Sequence, residues 1–507
     1  MNMVQLLEHN LQTYGEYVHL IYEGQSFTNI HHDRVSSQWA HALLNLGVSR
    51  GDHVLLMLPN IPEVFWAYSA VVKTGAVVIP VMPLLQVDEV RHIVQDAHPV
   101  AVLTSVLLAD KVSQAVAASG DMAQVLLVDD EEPAGLPGLS SRCSTERPEL
   151  FVEDDAVAVI LYTSGTTGRP KGVELTHRNL YSNARAAATL AEKYKLNAPQ
   201  RTGLFVLPLS HAFGFTMMNT SIVLGERNVL LPHFQPQRVL EAIQTYRVTH
   251  FSGVPTMFRS MLAYPDADRY DVSSLTLCIS GSAPMHASEI TAFQDKFGAT
   301  IYQGYGLSEA APIVTAPHFD KPHKPESVGL PLPGVEVRIV DETDTPVPTG
   351  KVGELVVRGP NVSPGYHRLP EATRQVFKDG WLHTGDMAKV DDEGYVYIVD
   401  RKRDVIIRGG FNIYPRDVEF LLNQHDGVSE SAVIGVPAEP MGEEVVAFVV
   451  KTRHPDVTAE ELLAYCRAHL AKYKTPREIR FVSYLPKNLL GKVDKKQLRQ
   501  QISVTSI

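Results

Sequence analysis

Short apolar runs recur along the chain, and each is followed by a stretch of helical spacing. Residues 52–58, 76–80 and 100–104 are apolar segments of strand length bounded by Gly, Pro or Asn, and read as buried strands. Residues 35–46, closing at Gly47 before the first of them, and residues 64–73, between the first two, carry the three-to-four spacing of helices. This alternation predicts a parallel sheet with helices on both faces. Residues 129–147, rich in Pro, Gly, Ser and acids, predict a surface loop. The alternation resumes with strands at 204–207, 228–231, 248–251, 275–279 and 300–303, a second α/β unit. Past Pro312 the texture changes. Glycine and proline become frequent, and short strands at 335–340, 353–358 and 395–399 predict a β-rich piece. The charged run 400–404 breaks the pattern. Beyond it, strands at 431–436 and 445–450 and a helix at 460–470 predict a compact α+β piece. The expected fold is α/β: a large N-terminal domain, 1–400, of two α/β subdomains plus a β-rich subdomain, and a small mobile α+β C-terminal domain, 401–507.

Length agrees with this division, since 507 residues are too many for one core. The formal charge of −11 offers no basic field for a phosphate backbone, so nucleic acid is not an expected partner. Three cysteines, Cys143, Cys278 and Cys466, lie far apart without metal-ligand spacing, which fits a reducing compartment. The first residues show no basic region followed by an apolar core, and the apolar stretch 64–72 stops at Lys73, too short for a bilayer. A cytoplasmic protein without an integral membrane segment is expected, and a homodimer is compatible with it.

Candidate chemistry concentrates in Tyr162-Thr-Ser-Gly-Thr-Thr-Gly-Arg-Pro-Lys171-Gly172, directly after the strand-like run 156–161. Glycines let backbone N–H groups turn inward, the hydroxyls of Thr163, Ser164, Thr166 and Thr167 add donors, and Lys171 adds charge. Such a loop can wrap a polyphosphate. It is not a Walker A loop, because Gly-x-x-x-x-Gly-Lys-[Ser/Thr] cannot be fitted. Five further stretches stand out: Leu207-Pro-Leu-Ser-His211-Ala-Phe-Gly214; Gln303-Gly-Tyr-Gly-Leu-Ser308-Glu309-Ala310; Thr384-Gly-Asp386; Arg401 and Arg403 at the break; and Pro486-Lys-Asn-Leu-Leu-Gly-Lys492. Glu309 follows a glycine turn at the C-terminal end of a strand, where open α/β sheets bind ligands.

With Gly409-Gly-Phe-Asn-Ile-Tyr-Pro415 added, these motifs in this order resemble the adenylate-forming acyl-CoA synthetases, luciferases and peptide-synthetase adenylation domains, with the nearest likeness to fatty-acid–CoA ligases. The likeness runs from the first strands to about Leu498. It implies two half-reactions: ATP and a carboxylate give an acyl-adenylate and pyrophosphate, then a thiol takes the acyl group and AMP leaves. ATP, Mg²⁺ and CoA are the implied cofactor and substrates. The likeness further implies that Thr163, Ser164, Gly165, Thr166, Thr167, Gly168 and Lys171 hold the β/γ-phosphates. Gly281, Ser282, Ala283 and Pro284, with Gly304, Tyr305 and Gly306, would border adenine. Ser308, where many members carry threonine, keeps a hydroxyl for phosphate. Glu309 would bind Mg²⁺, Asp386 the ribose hydroxyls, and Arg401 the ribose region. Lys492 would bridge the carboxylate and the α-phosphate, and His211 would stand at the mouth of the acid pocket. Arg403 would be the hinge, where lysine or aspartate is common, and Gly409 and Gly410 would let the pantetheine arm pass.

The implied acid pocket draws on 213–224, 251–258, 280–285 and 302–314. From Thr202 to Gly225 there is no Asp, Glu, Lys or Arg. A second carboxylate or an ammonium on the substrate would need a buried counter-charge, which these segments do not offer. Phe213, Phe215, Met217, Met218, Met257, Phe258 and Met285 suit an apolar chain or serve as plain core. A medium- to long-chain fatty acid is the expected substrate, with an aryl acid, or a carrier-protein thiol as acceptor, as alternatives. A different class is suggested by Gly306-Leu-Ser308-Glu-Ala310, one residue from the nucleophile elbow of α/β-hydrolases.

Overall fold

The computed structural model describes residues 2–163, 170–194, 201–452, 457–487 and 492–505, with side chains as far as 502. The chain folds as two compact units, Met1–Val337 with Val357–His383, and Arg338–Val356 with Thr384–Ile507.

The first unit carries two seven-stranded sheets. One runs in the order Gly365–Tyr366, Lys171–Thr176, Val157–Thr163, Val77–Pro80, His53–Met57, Ala101–Thr104, Gln124–Leu127. The last five strands are parallel, and the first two are antiparallel additions. Period-two alternation sends the side chains of each strand into two different cores. Val54 and Leu56 join Trp39, Leu43 and Phe65 on one face, while Leu55 and Met57 join Val90, Ile93 and Val112 on the other. Helices thus cover both faces, as a parallel sheet requires. Helix Glu63–Lys73 is buried all round. Its one buried cation, Lys73, is matched by Asp33 at 2.7 Å and by the hydroxyls of Ser36 and Ser37.

The second sheet runs Thr300–Gln303, Leu277–Ser280, His250–Gly253, Thr202–Phe205, Arg227–Leu230, Val18–Tyr22, Gln25–Thr28. Its last two strands are a departure from expectation. The hairpin at 18–28 precedes every strand expected for the first sheet, yet it extends the second, Leu20 pairing with Asn228. The reason is a two-sided strand: Leu20 packs into one core and Ile21 into another. The expected loop at 129–147 also contains a short helix, Leu136–Ser140, anchored by fully buried Leu136.

The second unit is built on a long antiparallel hairpin, Val428–Ala438 with Gly442–Lys451. One face, through Val433, Val445, Ala447 and Val449, packs on helices Pro415–Leu422 and Ala459–His469. The other, through Ala432, Ile434, Val446 and Phe448, packs on Leu498 and Ile502 of the last helix. The boundary expected at 400–404 falls inside this unit, so the packing division and the expected hinge do not coincide.

Candidate active site

Strands Val157–Thr163 and Lys171–Thr176 pair antiparallel, Tyr162 opposite Gly172 and Thr163 opposite Lys171. The phosphate-type loop therefore joins two neighbouring strands. Ser164, Gly165, Thr166, Thr167 and Gly168 lie outside the described residues; both ends of the loop are described. At one end the Tyr162 hydroxyl donates to Asp96 Oδ2 at 2.6 Å. At the other, the Lys171 ammonium lies 5.4 Å from the centre of the Tyr366 ring.

Tyr366 links that lysine to the predicted metal ligand. Its hydroxyl donates to Glu309 Oε1 at 2.8 Å, and burial together with the Glu309 charge pushes its own ionisation up. Glu309 itself is held by a tightly built turn. A Cβ on Gly306 would stand 2.2 Å from Pro312 O, so only glycine fits there. Asn361 Nδ2 donates to Ala310 O and Ile313 O at 2.9 and 3.0 Å, and Asn183 Nδ2 to Ile313 O at 2.7 Å. The Ser363 amide donates to Glu309 O at 2.9 Å. Tyr366, Asn183 and Asn361 escaped the sequence reading. A Gly-aromatic pair at Gly365-Tyr366, like that at Gly304-Tyr305, was the one available hint.

Ser308 and Glu309 sit in a short 3-10 turn that leads into strand Ile313–Ala316. A nucleophile elbow requires a strand, a sharp turn and a helix, so the hydrolase alternative fails on local geometry.

The other predicted nucleotide contacts meet at neighbouring strand ends. Ser280 pairs with Gln303, and Gly304 N donates to Ser280 O at 3.0 Å. Gln303 Oε1 accepts the amide of Met285 at 2.8 Å, tying the 281–284 turn to the strand that leads to Gly304, Tyr305 and Gly306. Phe213 closes over this turn: a Cβ on Gly281 would lie 2.9 Å from its Cε1. His211 has a local task, since its Nδ1 accepts the Phe213 amide at 3.4 Å and caps helix Ala212–Leu224. Of the apolar candidates, Phe215, Met218, Phe258 and Met285 are at most 3% exposed and belong to the cores. Phe213, Met217 and Met257 keep exposed surface.

The second unit assembles Asp386, Arg401 and Lys492. Asp386 is buried, pairs in register with Arg401, and receives the Arg401 Nε at 3.1 Å. Its turn is fixed from below: Thr384 Oγ1 donates to Leu355 O at 2.7 Å, and Gly385 N donates to Glu354 Oε1 at 3.1 Å. The other Glu354 oxygen takes Lys402 Nζ at 2.8 Å. Lys492 is pulled down to about 8, first by desolvation and then by the Arg401 charge, with Asp386 opposing. One carboxylate beside two cations suits a ligand that presents hydroxyls and phosphate together. Arg403 lies exposed in the turn Lys402–Asp404. Gly409 and Gly410 form the tip of the hairpin Ile406–Arg408 with Phe411–Ile413, at φ of +57° and +80°, which a two-residue turn of this hand demands.

Mg²⁺ is commonly bound by one or two carboxylates plus substrate phosphates. Glu309, half-buried with one oxygen engaged by Tyr366, fits that pattern. Among the described residues no group of three or more His, Cys, Asp or Glu could hold a metal by itself. No helix among them is long and apolar enough to cross a membrane.

Comparison with known proteins identifies the family of the chain. A model of the AMP-binding enzyme family matches residues 7–367, and one of the AMP-binding enzyme C-terminal domain matches 417–492. A long-chain-fatty-acid–CoA ligase of Bacillus subtilis (strain 168) is 36% identical over 90% of this chain and 86% of its own. A feruloyl-CoA synthase of an Amycolatopsis species is 38% identical over 94% of both chains. The crystal structure of ATP-bound MatB from Rhodopseudomonas palustris superposes with a TM-score of 0.90 at 32% identity, covering 99% of each chain. The chain therefore belongs to the AMP-binding enzyme family, as an adenylate-forming acyl- or aryl-CoA ligase that uses ATP, Mg²⁺ and CoA.

Proposed function

We propose that this protein is a cytoplasmic ligase for medium- to long-chain fatty acids, making acyl-CoA through an acyl-adenylate. The observation that carries the acyl preference is the uncharged helix Ala212–Leu224, which brings Phe213 onto Gly281 and leaves Met217 partly exposed. No cation is at hand in that helix for a second carboxylate and no anion for an ammonium, and an unpaired buried charge is costly. Fatty-acid–CoA ligases among the relatives support the same reading. An aryl acid is the second reading, favoured by the feruloyl-CoA synthase likeness.

In this scheme Thr163 to Gly168 and Lys171 grip the leaving pyrophosphate. The turns 281–284 and 304–306 border adenine, and Asp386 with Arg401 holds the ribose. Lys492 neutralises charge building on the carboxylate and α-phosphate. When bound, Mg²⁺ screens the phosphate charge, with Glu309 as its ligand and Tyr366 holding that carboxylate in place. After pyrophosphate leaves, the segment 401–507 turns about 400–404, with Arg403 as the pivot, and the thiol arm passes Gly409 and Gly410. His211 orders the mouth of the acid pocket through the helix it caps.

The substrate test is a panel of carboxylic acids assayed for pyrophosphate release with ATP and Mg²⁺, with and without CoA. Each buried CH₂ contributes about 0.8 kcal/mol, so kcat/KM should climb roughly fourfold per methylene over part of the C6 to C18 series. Faster turnover of malonate or an amino acid than of every fatty acid would overturn the acyl preference.

A second expectation concerns Tyr366. Tyr366→Phe keeps the ring beside Lys171 and removes the hydrogen bond to Glu309. A bond to a charged group is worth about 1.5–3 kcal/mol, so the Mg²⁺ concentration for half-maximal adenylation should rise at least about tenfold. An unchanged Mg²⁺ dependence would mean that Glu309 is positioned without Tyr366.

A further inference from the structure

Asp400 and Arg416 join the two sides of the expected hinge. Asp400 lies near the end of strand Val396–Arg401 and is 4% exposed. One of its oxygens accepts the Arg401 amide at 2.7 Å, and the other accepts the Arg416 amide at 3.0 Å. Arg416 stands in the first turn of helix Pro415–Leu422, whose N-cap residue Tyr414 makes no side-chain cap bond. Asp400 thus supplies from across the hinge an acceptor that the helix start lacks locally. The Arg416 guanidinium reaches back in the opposite direction. Its Nη1 donates to Ile398 O at 2.9 Å and to Val399 O at 3.4 Å.

These bonds contrast with the segment between them. Arg401, Lys402 and Arg403 are exposed, and their own burial does little to fix the backbone. The segment 401–404 has ion pairs of its own, Arg401 with Asp386, Lys402 with Glu354 and Asp404 with Arg499, and the reciprocal pair Asp400 and Arg416 adds bonds that span it from outside. A rotation of the backbone at 401–404 would leave Ile398, Val399 and Asp400 on one side and carry Arg416 away on the other. These three bonds would break together. In the arrangement described, Lys492 stands in the field of Asp386 and Arg401, the first of which lies before the hinge.

We propose that Asp400 and Arg416 form a latch that holds Lys492 at the ribose acid during adenylation and opens before the thiol attacks. The proposal rests on the two-step reading above. It makes Arg416 a positioning residue with opposite consequences for the two half-reactions. Without the guanidinium, the adenylating arrangement is populated less, and the arrangement for thiol transfer is reached at least as readily.

Arg416→Ala should lose acid-dependent pyrophosphate release about tenfold. Given a chemically made acyl-adenylate and CoA, the same variant should form thioester at the wild-type rate or faster. Arg416→Lys, which keeps the charge and a donor group, should fall between Arg416→Ala and wild type in the first step. The second half-reaction doubles as the check on folding, because a misfolded variant fails in it. Equal losses in both steps would mean that Arg416 merely supports the fold, and no loss in either would mean that nothing is latched; each overturns the proposal. Wild-type protein measured in parallel carries the functional reading. Absence of pyrophosphate release there, with every acid, would overturn that reading and the latch with it, whereas an active wild type with equal variant losses overturns the latch alone.

Discussion

Lys492→Ala is expected to lose acid-dependent pyrophosphate release by about 10²–10³-fold, the usual cost of removing one donor aimed at developing charge. The same variant should convert a preformed acyl-adenylate and CoA to thioester almost normally. Lys492 stands with Asp386 and Arg401, so its ammonium is available where ribose and α-phosphate would meet. Once the α-phosphate has been substituted, that charge has no further task. The lysine's lowered pKa adds a second signature. Held near 8, it loses its proton as the medium becomes alkaline, and the neutral amine no longer offsets negative charge. In kcat/KM for ATP, which reports the free enzyme, wild-type adenylation should therefore decline with a midpoint near pH 8. Thioester formation from the preformed adenylate should lack that midpoint. Equal losses in both half-reactions of Lys492→Ala would show that the lysine is not confined to the first step.

The second large effect is expected at Glu309. Glu309→Gln preserves the shape of the side chain and leaves a carbonyl for the Tyr366 hydroxyl, while removing the negative charge. A hard dication depends on that charge, and charge stabilisation by a bound metal is worth several kcal/mol. Adenylation at fixed Mg²⁺ should fall roughly 10²-fold, with partial recovery as Mg²⁺ is raised. The variant should melt close to wild type, because the turn is secured at its backbone carbonyls by the side-chain amides of Asn361 and Asn183 and by the Ser363 N–H rather than by the carboxylate. A rate indifferent to both the substitution and the Mg²⁺ concentration would remove Glu309 from the metal site.

The parts legible in the sequence share one property: they are local. Apolar runs at 76–80 and 100–104 fill both faces of a sheet, so burial writes itself into consecutive residues. Among the glycines expected to border the nucleotide, Gly306 stands where the surrounding backbone leaves no room for a side chain. What stayed hidden depends on distant partners. Tyr366 reaches Glu309 across 57 positions in the chain, and no spacing rule connects them. Strand Gly365–Tyr366 is two residues long, too short for any period, yet it completes the first sheet beside Val173 and Glu174. The hairpin at 18–28 precedes every strand read from the sequence, and nothing in it names the second sheet as its partner. The apolar side chains of the expected acid pocket were legible only as a group. Met285 and Phe258 proved to be core and Met217 and Met257 partly exposed, and a single sequence does not distinguish a methionine facing a ligand from one facing a helix.

Oxygen transfer tests the acyl-adenylate most directly. A fatty acid carrying oxygen-18 in its carboxylate, turned over with ATP, Mg²⁺ and CoA, should pass one labelled oxygen to the phosphate of the AMP product. Attack of the carboxylate on the α-phosphorus makes that bond, and thiol attack on the acyl carbon leaves the oxygen behind on AMP. Labelled AMP together with acyl-CoA is the expected result. Label in orthophosphate with ADP as the nucleotide product, or unlabelled AMP alongside acyl-CoA, would contradict an acyl-adenylate route.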